Sequence, residues 1–233
     1  MKQRQILVIL PAINEEEAIG KVIDEIPKQA LEERGFSVRI LVIDGNSRDK
    51  TRDIARAKGA EVTIESRRGK GRAMRTAFAQ NKADYMFTLD ADYTYPATYI
   101  TDMLDILEQG THVVIGSRLK GNIDKGGMSW LNKVGNQMLT IIANILYSER
   151  ISDLCTGYWG WKGEIVSNLP LVSDGFTLEA ELYVNLAKKG YRIAEIPIHY
   201  RRRTTPPKLK AVRDGLKIGW ALITRRFSQP TIR

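Results

Sequence analysis

The sequence has few of the residues that build disulfides and zinc sites. Among 233 residues it contains one cysteine, Cys155, and two histidines, His112 and His199. A single cysteine excludes an intramolecular disulfide and fits a reducing compartment. With so few histidines, any bound metal is expected to have oxygen ligands. No apolar run approaches the roughly 18 residues that cross a bilayer, and the hydrophobic share of 43% predicts one globular domain.

Two phosphate-binding signatures are also absent. No G-x-x-x-x-G-K-[ST] segment occurs, which argues against a small kinase. Gly69-Lys70-Gly71 lacks the third glycine of the dinucleotide fingerprint, and it lies in the third βα turn instead of the first. These absences argue against a Rossmann enzyme of hydride transfer.

The N-terminus resembles a signal peptide only briefly. Lys2 and Arg4 precede an apolar run at residues 6–10, but three glutamates follow at residues 15–17. A first core strand is the better interpretation, and it predicts a cytoplasmic protein.

Positive charge is concentrated near the C-terminus. Residues 201–233 contain ten lysines and arginines and one acid, Asp214, whereas the first 200 residues contain 26 basic and 26 acidic residues. The net charge of +9 therefore belongs to the tail. Such an asymmetry predicts an anionic partner for the tail, either a membrane surface or nucleic acid.

Strand-like and helix-like patterns alternate along the chain. The predicted strands cover residues 5–10, 38–43, 61–65, 111–116 and 192–200, with one more that ends at Asp90. The predicted helices cover residues 14–29, 51–58, 73–81, 96–108, 130–147 and 177–189. Asn14 and Glu17 have the spacing of a capping box for the first helix. The alternation predicts βαβ units and a parallel sheet with right-handed crossovers.

Charged side chains follow several of these strands. Asp44, Lys70, Asp90, Asp92 and Arg118 would all lie near one edge of the sheet, where open α/β sheets bind ligands. The two carboxylates of Asp90 and Asp92 can be bridged by a hard cation to phosphate oxygens. The sequence therefore predicts a metal-diphosphate site.

The second half offers interpretations that stay open. The helix at residues 130–147 is expected to pack on the body or to lie on a membrane. Trp159 and Trp161 either stack on a sugar or belong to the core, on alternate faces of a strand. The helix at residues 177–189 carries Glu179 and Glu181.

Beyond Arg203 the chain has a helical pattern of its own. Apolar residues recur at spacings of three or four, with basic residues among them, at Leu209, Val212, Leu216, Trp220, Ile223 and Phe227. This pattern is typical of a basic amphipathic helix that anchors a protein in the membrane plane. It is equally typical of a helix docked on the body with a solvated basic face.

Several motifs occur in a recognisable order along nearly the whole chain. The early ones are Pro11-Ala12-Ile13-Asn14-Glu15, Asp44-Gly45-Asn46 and Gly69-Lys70-Gly71. The later ones are Asp90-Ala91-Asp92, Gly116-Ser117-Arg118, Asp153 to Gly157, and Glu195-Ile196-Pro197-Ile198 with Tyr200 and Arg203. In this order they resemble the family-two glycosyltransferases of GT-A fold. Within that family the likeness is to the polyprenyl-phosphate hexosyltransferases, such as dolichyl-phosphate mannose synthases.

The resemblance implies a fold and a reaction. It implies an α/β GT-A domain, with a Rossmann-like, mostly parallel sheet flanked by helices, over residues 1–200, and a basic amphipathic tail over residues 201–233. The enzyme would move a hexose from UDP-glucose or GDP-mannose to a polyprenyl phosphate. It would work as a peripheral protein on the inner face of the cell membrane, attached through the C-terminal helix. A homodimer is compatible with this reading, and no nucleic acid partner is expected.

The resemblance also implies roles for single residues. Residues expected to bind the nucleotide sugar are Pro11, Ala12, Asn14, Glu15, Asp44, Asn46, Lys70, Gly71, Asp90 and Ala91. Residues expected to act in the transfer are Asp92, Arg118, Arg203 and Asp153, with Mg²⁺ or Mn²⁺ held by Asp90 and Asp92. The family often has a glutamine as a further metal ligand where this chain has Thr94. Where the family has Gly-x-Ser-Lys-Leu, this chain has a stiffer Thr205-Pro206-Pro207-Lys208-Leu209 segment.

Other functions remain to be weighed against this one. Transfer to a sugar or glycolipid hydroxyl would need a carboxylate base, for which Asp153, Glu179 and Glu181 are the candidates. A nucleotidyltransferase can share the sheet and an acidic metal site. A non-catalytic membrane-binding or nucleic-acid-binding module would use the basic tail alone, and nucleic-acid binding would weaken steeply with salt.

Overall fold

The computed structural model describes residues 3–67, 69–167, 169–203 and 211–227, with the side chain of Ser167 excepted. The strands are β1 (Arg4–Ala12), β2 (Phe36–Asp44), β3 (Glu61–Ile64), β4 (Tyr85–Thr88), β5 (Val113–Ser117), β6 (Trp159–Lys162) and β7 (Ile193–Pro197). The helices are α1 (Ile19–Glu25), α2 (Lys28–Glu33), α3 (Thr51–Ala57), α4 (Lys70–Gln80), α5 (Ile100–Glu108), α6 (Trp130–Tyr147), α7 (Gly163–Ser167), α8 (Leu178–Lys188) and α9 (Ala211–Phe227). A short 3₁₀ turn, Ala97–Tyr99, precedes α5.

The strands form one sheet in the order β3-β2-β1-β4-β6-β5-β7. Neighbouring strands are parallel except β6, which runs antiparallel to both β4 and β5. The predicted mostly parallel sheet is therefore confirmed. Because β1 lies between β2 and β4, the chain crosses to opposite sides of β1, and the loops at the carboxyl ends of these strands border a crevice.

The core fills both faces of this sheet. In β1, Ile6, Val8 and Leu10 belong to one apolar cluster, whereas Leu7 and Ile9 belong to the cluster on the other face. All five side chains are completely buried. A parallel strand covered on both faces reads as a continuous apolar run, which is why residues 6–10 carry no polar side chain.

The predicted helix at residues 14–29 is wrong in its start and its length. Asn14 has a left-handed φ of 50°, and α1 begins at Ile19 after Ala18, which makes no side-chain cap. The Asn14 side chain instead accepts a hydrogen bond from the backbone N–H of Arg48. The capping-box spacing misled because an N-cap residue needs an extended backbone, and here a loop contact uses that side chain.

Trp159 and Trp161 belong to the core, so the interpretation that they stack on a sugar is wrong. Both side chains are buried, and their rings lie parallel with centroids 5.8 Å apart. Trp161 also meets the ring of Phe78 edge to face. The two tryptophans share one face of β6, not alternate faces, because residues two apart in a strand point the same way.

The tail helix α9 packs on the body, and its use as a membrane anchor stays a prediction. Ile218 and Leu222 are buried where α9 packs against α6 and α8. Tyr147 donates to the backbone carbonyl of Leu222, and Arg225 pairs with Glu181 at 2.7 Å. The helix is therefore docked on the body. The opposite side is an exposed apolar stripe that follows the predicted one at Val212, Leu216, Trp220, Ile223 and Phe227.

Leu209 and the proline-containing segment at residues 205–209 lie outside the described residues. Within the described part of the chain, no helix is long and apolar enough to cross a membrane.

Residues 201–203 pack on the sheet domain, although the predicted tail begins there. The two terminal guanidinium nitrogens of Arg201 donate to the two carboxylate oxygens of Glu25 in α1, at 2.7 and 3.0 Å. Arg203 pairs with Asp92 and with Glu15. The domain boundary at residue 200 stays a prediction, but these three residues lie with the body.

Candidate active site

A cavity of about 1700 Å³ opens at the carboxyl ends of β1, β2 and β4. Most of the predicted site residues line it: Pro11, Ala12, Asn14, Glu15, Asn46, Lys70, Asp90, Ala91, Asp92, Arg118 and Arg203. Asp44, Gly71 and Asp153 are not part of its lining. The sheet edge therefore brings together side chains that are more than 190 residues apart in sequence.

The acidic loop after β4 is held in a fixed shape. Tyr93 has a left-handed φ of 65°, and the backbone N–H and the hydroxyl of Thr94 both donate to Asp92 Oδ1, at 3.1 and 2.6 Å. Thr94 is completely buried and does not line the cavity. Its hydroxyl therefore orients Asp92, and its position does not fit a third metal ligand.

Two cations neutralise the acids of the cavity. The ammonium group of Lys70 lies 2.6 Å from Asp90 Oδ1 and 2.8 Å from a carboxylate oxygen of Glu179. Arg203 lies 3.2 Å from Asp92 and 3.2 Å from Glu15. A ligand that uses these cations must take the place of the acids they now bind.

The surroundings shift the pKa values of these groups in opposite directions. Burial alone would raise the pKa of Asp90, but the adjacent Lys70 charge outweighs it and the pKa is lowered. Burial and the neighbouring Asp90 raise the pKa of Asp92. Burial would lower the pKa of Lys70, yet Asp90 and Glu179 raise it well above its usual value. Asp92 is thus the carboxylate that additional positive charge would stabilise most.

The acidic pair fits a hard divalent cation. A Cβ atom at Gly157 would lie 2.7 Å from Asp90 Oδ2, so only glycine leaves the carboxylate its present space. Carboxylate oxygens are the ligands that Mg²⁺ and Mn²⁺ prefer. The described residues contain no cluster of three or more His, Cys, Asp or Glu side chains suited to a metal. A cation here would be held by Asp90 and Asp92, with further ligands from substrate or water.

Two loops form the wall next to β1 and β2. Asp44 Oδ2 accepts the backbone N–H of Ser47, and the hydroxyl of Ser47 accepts that of Asn14. Asn14 in turn accepts from the backbone of Arg48. Asn46 has a left-handed φ of 66°, a conformation that asparagine tolerates better than most residues. Asp44 is completely buried, so it supports the wall from behind.

Asp153 holds Arg118 and does not reach the cavity. Its carboxylate accepts from Arg118 Nε and Nη2, both at 2.7 Å, and from the Arg118 backbone N–H at 2.9 Å. Asn136 donates to the same carboxylate at 2.6 Å. Burial would lower the pKa of Arg118, but Asp153 raises it well above its usual value. Asp153 is therefore a positioning residue, and its geometry does not suit the base considered from sequence.

Two further residues shape the site and were missed in the sequence. Asn136 of α6 binds Asp153 and accepts the backbone N–H of Cys155. The sequence feature that could have identified Asn136 is its position one turn before Thr140, since both are polar residues on the buried side of α6. The hydroxyl of Tyr95 accepts the backbone N–H of Gly157, a contact with no local sequence signal.

Glu179 and Glu181, the two candidate bases on α8, have different surroundings in the structure. Glu179 lines the cavity and binds Lys70. Glu181 is completely buried, accepts the backbone N–H groups of Val172 and Ser173, and pairs with Arg225. Glu181 therefore holds the tail helix and a loop, and it is not a base in this cavity.

Sequence comparisons place the chain in a family. The family model for glycosyl transferase family 2 matches residues 7–169. The glycosyltransferase AglJ of Haloferax volcanii is 36% identical over 213 residues, which cover 90% of this chain and 68% of that protein. A dolichyl-phosphate hexose transferase of the same organism is 32% identical over 216 residues, covering 93% of this chain and 91% of that protein. The chain belongs to glycosyl transferase family 2.

Solved structures agree on the fold. Glucosyl-3-phosphoglycerate synthase from Mycobacterium tuberculosis, in complex with Mn²⁺, UDP-glucose and phosphoglyceric acid, superposes with a TM-score of 0.79. The match covers 98% of this chain and 81% of that one at 22% identity. The predicted GT-A fold is confirmed. The family match and the similarity to a hexose transferase confirm the predicted enzyme class, a hexosyltransferase that uses a nucleotide sugar.

Proposed function

We propose that this enzyme transfers a hexose, with inversion, from a nucleotide-diphosphate sugar to a polyprenyl phosphate at a membrane surface. The observation that carries the proposal is one continuous cavity. Paired carboxylates and cations line one part of it, and uncharged residues of α6 and α9 line another. The similarity to a dolichyl-phosphate hexose transferase over nearly the full length of both chains supports it.

The donor diphosphate is assigned to the charged end of the cavity. A bound Mg²⁺ or Mn²⁺ at Asp90 and Asp92 would supply positive charge to the diphosphate as it leaves. Lys70 and Arg203 would turn from their present carboxylate partners towards the phosphate oxygens. The loops of Asn14 and Asn46 are assigned to the nucleoside. Preorganised cations of this kind stabilise charge that develops during the reaction.

The acceptor needs no strong base. The second pKa of a phosphate monoester is about 6, so its oxygen is already a nucleophile near neutral pH. That oxygen attacks the anomeric carbon, the bond to the diphosphate breaks, and the electron pair leaves with the nucleoside diphosphate. Arg118, held in place by Asp153, would orient the acceptor phosphate. Of the three candidate bases, Asp153 and Glu181 are buried and bound to other groups. Glu179 lines the cavity but is paired with Lys70, and a phosphate acceptor does not require it.

The outer surface of the helix pair fits attachment to a membrane. Trp130, Ile141 and Ile145 of α6 are exposed and do not line the cavity, and the same holds for Phe227 at the end of the apolar stripe of α9. Basic residues of α9 accompany this stripe at Arg213, Lys217 and Arg226. Apolar side chains beside lysine and arginine favour the interface of an anionic bilayer. The proposal therefore includes a peripheral position on the cytoplasmic face of the membrane.

The test is the release of nucleoside diphosphate from a panel of UDP- and GDP-sugars. Each sugar nucleotide is offered with Mg²⁺ or Mn²⁺, with and without a short polyprenyl phosphate. The proposal predicts that one donor is used and that the lipid phosphate stimulates release and is recovered as its hexosyl ester. Turnover with a sugar or glycolipid hydroxyl and no stimulation by the lipid phosphate would overturn it.

A further inference from the structure

Three side chains form a cluster behind the candidate active site: Glu25 at the end of α1, Tyr93 in the loop after β4, and Arg201 after β7. Glu25 Oε1 accepts the hydroxyl of Tyr93 at 2.9 Å and Arg201 Nη2 at 2.7 Å, and Glu25 Oε2 accepts Arg201 Nη1 at 3.0 Å. The guanidinium carbon of Arg201 lies 4.2 Å from the centre of the Tyr93 ring. None of these three residues lines the cavity. We refer to them as the Glu25 cluster.

Tyr93 lies next to Asp92, the predicted metal ligand. Its φ of 65° is in the left-handed region, which disfavours side chains that have a Cβ atom. Asparagine or glycine adopts this conformation more easily. The tyrosine ring and hydroxyl contribute what those residues lack, since they bind Arg201 and Glu25. The side chain at this strained position therefore attaches the acidic loop to the Glu25 cluster.

Arg201 attaches the same loop through its backbone. Its N–H donates to the carbonyl of Thr94 at 2.9 Å, and the hydroxyl of Thr94 donates to Asp92. Arg203 follows two residues later in the same segment and lies 3.2 Å from Asp92. The loop that carries Asp92 and the segment that carries Arg203 are thus joined both through the backbone and through side chains.

Glu25 connects these two segments to α1. Its side chain is 21% exposed and that of Arg201 is 23% exposed, so solvent screens their ion pair less than a pair on the open surface. The bidentate contact fixes orientation as well as distance. Glu25 Oε2 also accepts the backbone N–H of Ala97 at 3.4 Å. The cluster therefore holds the chain after β4 at two points, Tyr93 and Ala97.

We propose that Glu25, Tyr93 and Arg201 are positioning residues that hold Asp92 and Arg203 at the separation that the donor diphosphate and its metal ion require. This inference rests on the proposed function, which assigns the donor diphosphate to those two residues. The Glu25 cluster acts only through them. Loosening it is expected to weaken binding of the metal nucleotide and to leave the KM for the acceptor unchanged.

The test uses the variants Tyr93→Asn and Glu25→Gln. Asparagine tolerates the left-handed backbone but lacks the ring and the hydroxyl, and glutamine keeps the shape of Glu25 without its charge. The matched controls are Tyr191→Asn, at a partly buried tyrosine just before β7, and Glu61→Gln, at a carboxylate that binds Arg39 Nε and Nη2 at 2.8 and 2.7 Å. Neither control residue lines the cavity. Thermal unfolding confirms that each variant is folded at the assay temperature.

Calorimetry with UDP and with GDP, each in the presence of Mn²⁺, measures the donor site. The Kd of the nucleotide that the parent binds should rise about tenfold in both variants, the effect expected when a partner behind a metal ligand is lost. The controls, and the KM for a short polyprenyl phosphate in all four variants, should stay within about twofold of the parent. An unchanged Kd in Tyr93→Asn and Glu25→Gln overturns the inference, and so does a rise of equal size in the controls.

A double-mutant cycle separates positioning from a general loss of structure. In an Arg203→Met background, Glu25→Gln should change the Kd by less than about twofold, because the residue through which Glu25 acts is already missing. A full tenfold rise in that background would overturn the inference. A parent enzyme that binds nucleotide and Mn²⁺ but is not stimulated by a polyprenyl phosphate would overturn the proposed function alone.

Discussion

The two ends of the cavity differ in the charge of the side chains that line them. At the end proposed for the donor, the donor end, Lys70 is paired with Asp90 and Arg203 with Asp92. At the other end the lining from α6 and α9 is uncharged. On the proposed function, a donor must exchange ion pairs, whereas an acceptor has to displace water from apolar surface.

The difference follows from the cost of burial. A buried charge without a partner is destabilising by several kcal/mol, so the donor end must neutralise itself when no ligand is present. Apolar side chains carry no such requirement, so the part of the cavity lined by α6 and α9 needs no neutralising partner. We therefore expect substitutions at the donor end to change turnover, and to lower stability where they leave a buried charge without its partner. Substitutions on the outer face of the helix pair should change membrane binding alone.

The largest effect is expected for Asp92→Asn. It removes one of two carboxylates available to the cation, so kcat should fall about 100- to 1000-fold, the range for loss of one electrostatic contact in catalysis. Stability should change little, since the variant removes a buried charge that repels Asp90, and Arg203 keeps its pair with Glu15 when it loses the one with Asp92. Coupled assays at several Mn²⁺ concentrations measure this, with the exposed Asp53→Asn as the control. Full metal-dependent turnover in Asp92→Asn would remove Asp92 from the site.

The second-largest effect is expected for Lys70→Met. This variant tests whether a positive charge is needed beside Asp90 and Glu179 when no ligand is bound. Without Lys70 the buried carboxylates of Asp90 and Glu179 lose their cation, and unfolding should become easier by about 3 kcal/mol. Added Mn²⁺ should raise the melting temperature of this variant more than that of the parent, because the ion replaces the missing charge beside Asp90. Scanning calorimetry with and without Mn²⁺ gives the comparison, with exposed Lys82→Met as the control. An equal rise in both proteins would contradict the exchange.

A smaller effect is expected on the outer face of the helix pair. Ile145→Glu and Phe227→Glu change residues that are 75% and 82% exposed and do not line the cavity. Each should weaken binding to anionic liposomes about tenfold or more, since burying such a side chain contributes about 1.5–3 kcal/mol. Co-sedimentation measures the effect, with Thr98→Glu as the control on a distant surface. Unchanged sedimentation of both variants would argue against this face as the membrane surface.

The smallest effect is expected at Glu25, which connects residue 201 to the body. Burial would raise the pKa of Glu25, but hydrogen bonds from Arg201 and Tyr93 and the Arg201 charge lower it below its usual 4.5. A lowered pKa in the folded state means that the contact stabilises the protein above pH 4.5 and that this stability is lost as the pH falls through the lowered value.

Glu25→Gln should therefore be less stable than the parent by about 1–2 kcal/mol at pH 7. The difference should shrink as the pH falls below 4.5. Urea unfolding from pH 3 to pH 7 measures both proteins. A difference that stays constant over this range would show that the charge of Glu25 is not what stabilises the contact.

Much of the fold could be predicted because the apolar pattern is local. The run at residues 6–10, the acids after β4 and the spacing of three or four between apolar residues along the 18-residue α6 are each visible within a short stretch of the chain. The helix predicted at residues 14–29 failed because the Asn14 side chain has a partner 34 residues away. Sequence spacing cannot include a contact of that kind.

The sequence by itself determined the alternating α/β order, the acidic pair at a strand end and the basic apolar tail helix, since each follows from the identity and spacing of neighbouring residues. Only the tertiary structure decided which groups pair. It placed Asp153 behind Arg118, Thr94 behind Asp92 and Glu181 beneath α9. It also left the apolar stripe of α9 exposed while Ile218 and Leu222 pack against the body. These outcomes depend on distances between elements far apart in the chain, which the packing of the sheet and its helices sets.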